Sequence, residues 1–146
     1  MAKLNLGCGP NWKEQYSDYD GLDIIDYGQE YVGEVILILD ELMKLGVRFS
    51  EIMANHFLEH FDQNQLKRIF NQVYDLLEDG GEFKIVVPHK DGQRAWVLSH
   101  KTFWNKQTLR WLEEPDANGV YGFGKWKVLL LVVNARKDIH CLLQKI

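Results

Sequence analysis

The chain has 146 residues, of which 46% are apolar, and its formal net charge at pH 7 is −4. This length and composition suffice for one buried core, so we expect a single domain over residues 1–146 without a linker. The longest apolar run, residues 128–133, is too short to cross a bilayer, and the N-terminus lacks the apolar region of a signal peptide. We therefore expect a cytoplasmic protein without a membrane partner, and the acidic charge disfavours nucleic acid.

Charge is divided unevenly along the chain. Residues 1–79 contain 6 Lys and Arg against 15 Asp and Glu, whereas residues 80–146 contain 11 against 6. The two halves therefore carry −9 and +5. An acidic surface attracts a cationic ligand more readily than a polyphosphate. The two cysteines, Cys8 and Cys141, lack the spacing of a zinc site or a disulfide framework, which predicts two buried thiols.

The stretch Leu4–Pro10 predicts a short buried strand that runs into a glycine-rich turn. Gly7 and Gly9 flank a small Cys8, so no bulky side chain prevents a ligand from approaching the backbone. In open α/β sheets, ligands bind beyond the carboxyl ends of the strands. Trp12 stands where a dinucleotide fingerprint has its next glycine, which disfavours a nicotinamide or flavin dinucleotide. The candidate ligand loop consists of Asn5, Leu6, Gly7, Cys8, Gly9 and Pro10.

Two further strands are predicted in the acidic half. Residues 21–25 form the first, with Asp23 near its carboxyl end, where a carboxylate can accept hydrogen bonds from a ribose diol. A turn aspartate is the alternative interpretation of Asp23. The unbroken apolar run 35–39 predicts a strand that is covered on both faces. Asp40 ends that run and can cap a short helix over residues 41–45, which Gly46 terminates.

The next predicted strand, residues 50–54, brings Asn55 and His56 to the same edge of the sheet. The pattern His-x-x-Glu-His over His56, Glu59 and His60 also resembles an inverted zinc-peptidase motif. Such a motif needs a long surrounding helix, whereas these histidines lie at a strand-to-helix junction. We therefore expect no metal ligand here, and a metal-dependent hydrolase that uses these three residues is an alternative.

The rest of the chain predicts a scaffold with one basic, aromatic segment. Residues 62–79 have the apolar stripe of an amphipathic helix, with a capping box at its start and Gly80 beyond its end. Residues 82–87 predict a strand that Pro88 terminates, and His89 follows it. Residues 127–134 and 138–145 predict a β-hairpin. The basic, aromatic segment 90–111 lies between strand 82–87 and this hairpin. It is either a lid over a substrate or, in its second half, a short helix with a solvated basic face.

Together, these motifs resemble class I S-adenosylmethionine-dependent methyltransferases, in particular small predicted members without the usual N-terminal helices. Four stretches carry the resemblance over nearly the whole chain: residues 4–9, 21–23, 58–60 and 77–81. The resemblance implies an α/β, Rossmann-like, doubly wound sheet in the order 3-2-1-4-5-7-6. It also implies S-adenosylmethionine as the cofactor and methyl transfer to an unidentified acceptor as the function. A cofactor-binding domain without catalysis is the alternative.

The resemblance also assigns roles to individual residues. Residues 5–10 line the methionine end of the cofactor, Asp23 and its neighbour Ile24 hold the ribose side, and Asp40 and Glu41 lie near adenine. Asn55 and His56 close over the sulfonium. His89 and His100 are the candidate general bases, because His89 ends a strand and His100 lies in a stretch that resembles a histidine loop of related methyltransferases. No residue is assigned to a metal.

The connections after the first two strands look too short for the usual helices. Residues 10–20 and 26–34 are mostly polar, and the second stretch contains Gly28 and Gly33. We therefore expect reduced helices on one face of the sheet. An uncovered apolar face favours a symmetric homodimer, unless the aromatic residues of these two loops shield it.

Overall fold

The computed structural model describes residues 2–146. Within them, seven strands form one sheet in the order β3-β2-β1-β4-β5-β7-β6. The strands are β1 Lys3–Leu6, β2 Asp20–Asp23, β3 Tyr31–Val32, β4 Phe49–Asn55, β5 Leu77–Pro88, β6 Trp126–Val133 and β7 Asp138–Lys145. Strands β1 to β5 pair in parallel, and β7 runs antiparallel to both β5 and β6. The predicted sheet order is confirmed.

Helices occupy the connections, and several of them are short. The α-helices of residues 2–146 are α1 Trp12–Gln15, α2 Val35–Lys44, α3 Gln63–Leu76, α4 Lys106–Arg110 and α5 Pro115–Gly119. Single turns of 3-10 helix are found at Leu58–His60, Gln93–Trp96 and Trp111–Glu113. No helix in this part of the chain combines the length and the apolar character needed to cross a membrane.

Helix α3 begins as the sequence predicts and ends earlier. The Asp62 carboxylate accepts a hydrogen bond from the Gln65 backbone amide at 2.9 Å, and the Gln65 side chain accepts one from the Asp62 amide at 3.0 Å. This reciprocal pair is the predicted capping box. The helix ends at Leu76, because Leu77 is already extended (φ −77°, ψ 142°) and belongs to β5.

The strand predicted over residues 35–39 is wrong: these residues form the first half of helix α2. Val35, Leu39 and Leu42 are buried at helical spacing, whereas Leu37 is exposed. A short apolar run does not distinguish a buried strand from a buried helix. Strand β3 is instead the two-residue segment Tyr31–Val32. Gly46, at φ +73°, follows the end of α2, as predicted for the glycine that stops a helix.

One face of the sheet is covered by α2 and α3. On this face, alternate residues of the strands pack against the apolar stripe of α3 and form the main core. The largest buried side chains of this core include Phe49, Phe70, Phe83, Leu4, Leu6, Ile52 and Ile69. Phe70 and Phe83 meet edge to face, with their ring centroids 5.4 Å apart. Ile52 and Ala54 of β4 and Phe83, Ile85 and Val87 of β5 contribute alternate residues to this core, as expected when one face of a strand packs against helices.

The opposite face has little helical cover, as predicted. Only the four-residue helix α1 lies in the connection from β1 to β2 within the described residues, and the connection from β2 to β3 has no helix. Aromatic residues of the connection from β1 to β2 partly replace the missing helical cover of this face. The Asn55 amide donates to the Tyr16 hydroxyl at 3.4 Å, and the Lys3 ammonium lies 5.4 Å from the centroid of the Tyr19 ring. The edge strand β6 keeps exposed apolar side chains at Leu130 and Val132.

Candidate active site

The loop after β1 is held against β2 by its backbone. The amides of Gly7 and Cys8 both donate to the Leu22 carbonyl, at 2.8 and 3.1 Å. Gly7 and Gly9 have φ values of +66° and +71°, a region that favours glycine. A Cβ atom on Gly7 would overlap the Phe57 ring, whereas a Cβ on Gly9 would meet nothing within 4 Å. Gly7 therefore packs against the protein, and Gly9 faces open space that a ligand can enter.

Asp23 is fixed at the mouth of the same loop. Its Oδ2 accepts a hydrogen bond from the Gly9 amide at 3.0 Å, and its Oδ1 accepts one from the Ile25 amide at 3.1 Å. A carboxylate offers about four acceptor sites, so both oxygens keep a free lone pair. Within residues 2–146 Asp23 forms no ion pair. The carboxylate is thus oriented and available to a ligand hydroxyl.

Gln29, which was not among the residues predicted for the site, organises the connection from β2 to β3. Its side chain is buried, and its amide nitrogen donates to the carbonyls of Ile25 and Tyr31 at 2.9 and 3.1 Å. Its amide oxygen accepts from the Tyr27 backbone at 2.7 Å. One side chain thereby provides hydrogen-bond partners for backbone amide and carbonyl groups of a loop that contains no helix. A glutamine in a polar loop gives no sequence signal for this role.

Partial burial, followed by the nearby Asp23 charge, raises the pKa of the Cys8 thiol to about 11. Burial also raises the pKa of Cys141, to about 12. Because thiolates and not thiols are the nucleophiles, both cysteines are inert near neutral pH. Cys8 therefore serves the loop as a small neutral side chain that packs over Gly21.

We predict slow alkylation of Cys8 in the folded protein. With an ordinary pKa of about 8.5, roughly 10% of a cysteine is thiolate at pH 7.5, whereas a pKa near 11 leaves about 0.03%. In a Cys141→Ala variant, iodoacetamide should modify the remaining thiol about 300-fold more slowly than it modifies free cysteine. The rate should rise about tenfold per pH unit up to pH 10. A folded-state rate equal to the rate in denaturant would contradict this environment.

The end of β4 forms the second wall of the site, and it holds two residues that the sequence placed there. Asn55 is the last residue of β4, and His56 follows it with a left-handed φ of 51°. A non-glycine residue in this conformation costs about 1 to 3 kcal/mol and is typical of functional sites. The His56 Nδ1 lies 3.6 Å from the Glu59 Oε2, and its Nε2 lies 3.7 Å from the Asp138 Oδ2.

A polar cluster adjoins His56. Glu59 is buried, with 1% of its surface exposed, and its Oε2 lies 4.0 Å from the His100 Nε2. The rings of His60 and His100 meet edge to face, with centroids 4.7 Å apart. Asp138, at the start of β7, accepts a hydrogen bond from Arg94 at 2.6 Å. This pair was not predicted from the sequence, because the pairing of β7 with β5 brings Asp138 to this edge, where it meets Arg94 of the 3-10 turn that follows β5.

The two candidate bases have different surroundings. His100 belongs to the polar cluster described above. His89 is engaged by its own turn: its Nδ1 accepts a hydrogen bond from the Asp91 amide at 3.0 Å, and its backbone amide donates to the Lys137 carbonyl at 2.8 Å. The catalytic role of each histidine stays a prediction.

Asp40 and Glu41 do not lie after a strand, so the basis for placing them near adenine is lost. Both belong to helix α2. The Asp40 carboxylate accepts from Gln72 at 2.7 Å and pairs with Arg68 at 2.9 Å, which joins α2 to α3. The Gln72 hydrogen bond and the Arg68 charge lower the pKa of Asp40. Glu41 pairs on the surface with Lys44.

Two cavities lie beside these elements. One, of about 510 Å³, lies on the thinly covered face and is lined by polar and apolar residues that include Tyr16, Met53, Asn55, His56, Val86 and Arg94. The other, of about 670 Å³, lies between α3 and the segment 102–123 and is lined mainly by aromatic and apolar residues. None of the residues assigned to the site from the sequence lines the second cavity. The first cavity therefore borders the site at Asn55 and His56.

Comparison with known proteins identifies the fold. No protein-family model matches the sequence, and no curated protein matches it. Solved structures match over nearly the whole chain. A SAM-dependent methyltransferase from Archaeoglobus fulgidus superposes with a TM-score of 0.70 at 16% identity, covering 99% of this chain and 86% of that one. The 1,6-didemethyltoxoflavin-N1-methyltransferase of Burkholderia thailandensis, with bound S-adenosylhomocysteine, gives 0.69 at 17% identity over 99% and 70%.

A third similar structure is the N-methyltransferase NodS of Bradyrhizobium japonicum in complex with S-adenosylhomocysteine. It gives a TM-score of 0.68 at 12% identity, covering 99% of this chain and 78% of that one. The chain has the fold of class I S-adenosylmethionine-dependent methyltransferases. The predicted fold class is confirmed.

Proposed function

We propose that this chain binds S-adenosylmethionine and transfers its methyl group to an acceptor. The hydrogen bond from the Gly9 amide to Asp23 supports this proposal most directly, because it joins the open loop after β1 to a carboxylate at the end of β2 that forms no ion pair within residues 2–146. A ligand that follows the loop would meet that carboxylate with its ribose. The residues fit the cofactor in two further respects: Gly9 leaves open space, and the Asn5 side-chain oxygen is a buried acceptor without a hydrogen-bond partner.

The chain's own residues would bind and orient the cofactor. Asp23 would accept hydrogen bonds from the ribose hydroxyls, and the exposed Ile24 beside it would cover part of the nucleoside. Asn55 and His56 would close the methionine side. The acidic character of residues 1–79 favours a ligand that carries two positive groups.

Bound S-adenosylmethionine supplies a methyl group that is already activated by the sulfonium. The protein then has to align the acceptor and exclude water. The 510 Å³ cavity beside His56 is our proposed acceptor site. Its lining includes Lys84, Arg94 and Arg136, which favours a small acceptor with an anionic group. Where the acceptor must lose a proton, we propose His89 or His100 as the base.

Binding and turnover can be tested separately. Calorimetry with S-adenosylhomocysteine should show one site per chain, and NAD should give no heat. Tritiated S-adenosylmethionine should then label a component of a metabolite extract, which mass spectrometry would identify. Heat with NAD and none with S-adenosylhomocysteine would refute the assignment. Binding of S-adenosylhomocysteine without labelling of any acceptor would favour the alternative, a cofactor-binding domain without catalysis.

A homodimer remains our proposal for the thinly covered face of the sheet. Tyr16 and Tyr19 cover its β1 and β4 part, so the apolar surface that remains is on β6, at Leu130 and Val132. We expect light scattering at micromolar concentration to give about twice the chain mass of 17.1 kDa. Replacing Leu130 and Val132 with lysine should produce monomers, whereas a lysine at the exposed Leu37 of α2 should not. A wild-type mass near that of one chain would contradict the dimer.

A further inference from the structure

The geometry points to a divalent transition-metal site formed by Glu59, His60 and His100. One ligand atom from each residue lies within 4.8 Å of the others. Glu59 and His60 belong to the 3-10 helix after β4, and His100 comes from the loop after β5. The metal pattern considered from the sequence paired His56 with His60 on one helix. The fold replaces that pairing with a histidine from 40 residues further along the chain.

Glu59 provides the first argument. Only 1% of its surface is exposed, and its Oε1 has no hydrogen-bond partner. A buried carboxylate with an unsatisfied oxygen is costly unless a cation or a donor compensates it. Within residues 2–146, neither Lys nor Arg pairs with Glu59; its ion-pair neighbours are His56 and His100. The carboxylate is thus buried among imidazoles, which are metal ligands.

The orientation of His100 provides the second argument. Its Nδ1 lies 3.0 Å from the Ala95 carbonyl, which can only accept, so Nδ1 carries a proton. In the neutral ring, Nε2 then has a free lone pair, and it faces the Glu59 Oε2 at 4.0 Å. Two acceptors that face each other repel unless a proton or a metal cation lies between them. This separation is too long for a shared proton, since charge-assisted hydrogen bonds measure about 2.7–2.9 Å.

The dimensions suit a metal ion. Zinc lies about 2.0–2.2 Å from nitrogen and oxygen ligands, so two of its ligands in a tetrahedral site are roughly 3.4 Å apart. The ligand atoms lie within 4.8 Å of one another. The widest pair would therefore need to approach by at most about 1.4 Å, which side-chain rotation can provide. A carbonyl that holds the other nitrogen of the ring is also the usual support for a histidine that binds a metal. Two imidazoles and one carboxylate suit Zn²⁺, Fe²⁺ or Co²⁺ better than Mg²⁺ or Ca²⁺.

The ion would lock the loop after β5 onto the end of β4. That contact already exists through the backbone, because the amides of Lys101 and Thr102 donate to the Glu59 carbonyl at 2.8 and 3.3 Å. A metal ion would use the lone pair of the His100 Nε2, so His100 would then act as a ligand and the role of a base would fall to His89. The metal site uses no atom of the cofactor. Metal binding can therefore be tested whether or not the chain binds S-adenosylmethionine.

The test uses the full chain after treatment with a chelator. Titration with Zn²⁺ should show one site per chain, and zinc at 100 times its Kd should raise the Tm by roughly 5–10 °C. Co²⁺ should give visible absorption without a thiolate charge-transfer band, which excludes Cys8 and Cys141 as the ligands. The amides of residues 97–102 should exchange more slowly when the metal is bound.

Variants identify the ligands. His100→Asn keeps a donor near Ala95 and removes Nε2, and His60→Asn removes the second imidazole. Each variant should weaken zinc affinity by more than roughly 100-fold, which is the upper range for mutation of a residue that only supports a ligand. His140→Asn is the matched control, because His140 lies in β7 and contacts Asn134 instead of the cluster. No zinc binding by the wild-type chain, or equal binding by wild type, His100→Asn and His60→Asn, would overturn the proposal.

Discussion

Replacing Gly7 with alanine should destabilise the protein, whereas the same change at Gly9 should mainly weaken cofactor binding. Both glycines have a positive φ, so both variants incur a conformational cost of about 1 to 2 kcal/mol. At Gly7 the new methyl group also overlaps the Phe57 ring. We expect a total loss of about 3 kcal/mol there, or a Tm about 6 to 12 °C lower than that of the wild type. Thermal unfolding without ligand measures this difference.

The Gly9→Ala variant is the matched control for stability and the test for binding. Its methyl group would meet no protein atom within 4 Å, so its Tm should fall only by the conformational cost. The methyl would instead occupy the space through which the cofactor approaches, and S-adenosylhomocysteine should bind at least about tenfold more weakly. Adding Phe57→Leu to Gly7→Ala should restore part of the lost stability. Equal Tm values for the two alanine variants would contradict the role of Phe57.

The sheet order could be predicted from the sequence for two reasons. The motifs that mark its elements are local, and their order along the chain matches that of a known family. The glycine loop after β1, the capping box of α3 and the hairpin of β6 and β7 each lie in one short stretch. The resemblance then ordered these stretches into a known sheet. The helix at residues 35–44 could not be recognised from its first half, because five consecutive apolar residues fit a buried strand and a buried helix equally well.

The wrong third strand also misplaced part of the site. Once residues 35–39 were predicted to be a strand, Asp40 and Glu41 fell at its carboxyl end. In the structure, β3 has only two residues, Tyr31–Val32, and no alternation of apolar residues marks it. What holds this region is the buried side chain of Gln29, which bonds to the backbone on both sides of it. Such contacts depend on the folded path of the loop and leave no pattern in the sequence.

The polar cluster could be predicted only in part, for a related reason. The spacing of His56, Glu59 and His60 is visible in the sequence, and a short motif suggested His100. Their contact depends on the loop after β5 folding back over the 3-10 helix at Leu58–His60. Asp138 joins them because β7 pairs antiparallel with β5, which places Asp138 opposite Pro88. Residues that meet through such long-range pairing become neighbours only once the sheet is assembled.

Replacing Asp23 with alanine should weaken the binding of S-adenosylhomocysteine by about 10- to 150-fold. A hydrogen bond to a charged group contributes about 1.5 to 3 kcal/mol, and the ribose hydroxyls would lose such a partner. Asp26→Ala is the matched control: it removes the same charge from the same region, but Asp26 only accepts a hydrogen bond from the Gly28 amide. Calorimetry should therefore find nearly wild-type affinity for Asp26→Ala.

The loss in Asp23→Ala has a second possible origin, because Asp23 also holds the amides of Gly9 and Ile25. A ligand without the 2′-hydroxyl separates the two contributions. If Asp23 binds the ribose, the wild type should prefer S-adenosylhomocysteine to its 2′-deoxy analogue, and Asp23→Ala should bind both with nearly equal affinity. If Asp23 acts only through the loop, the variant should weaken both ligands by the same factor and keep the wild-type preference. The coupling between residue and hydroxyl, about 1 kcal/mol or more for a direct contact, decides between these two roles.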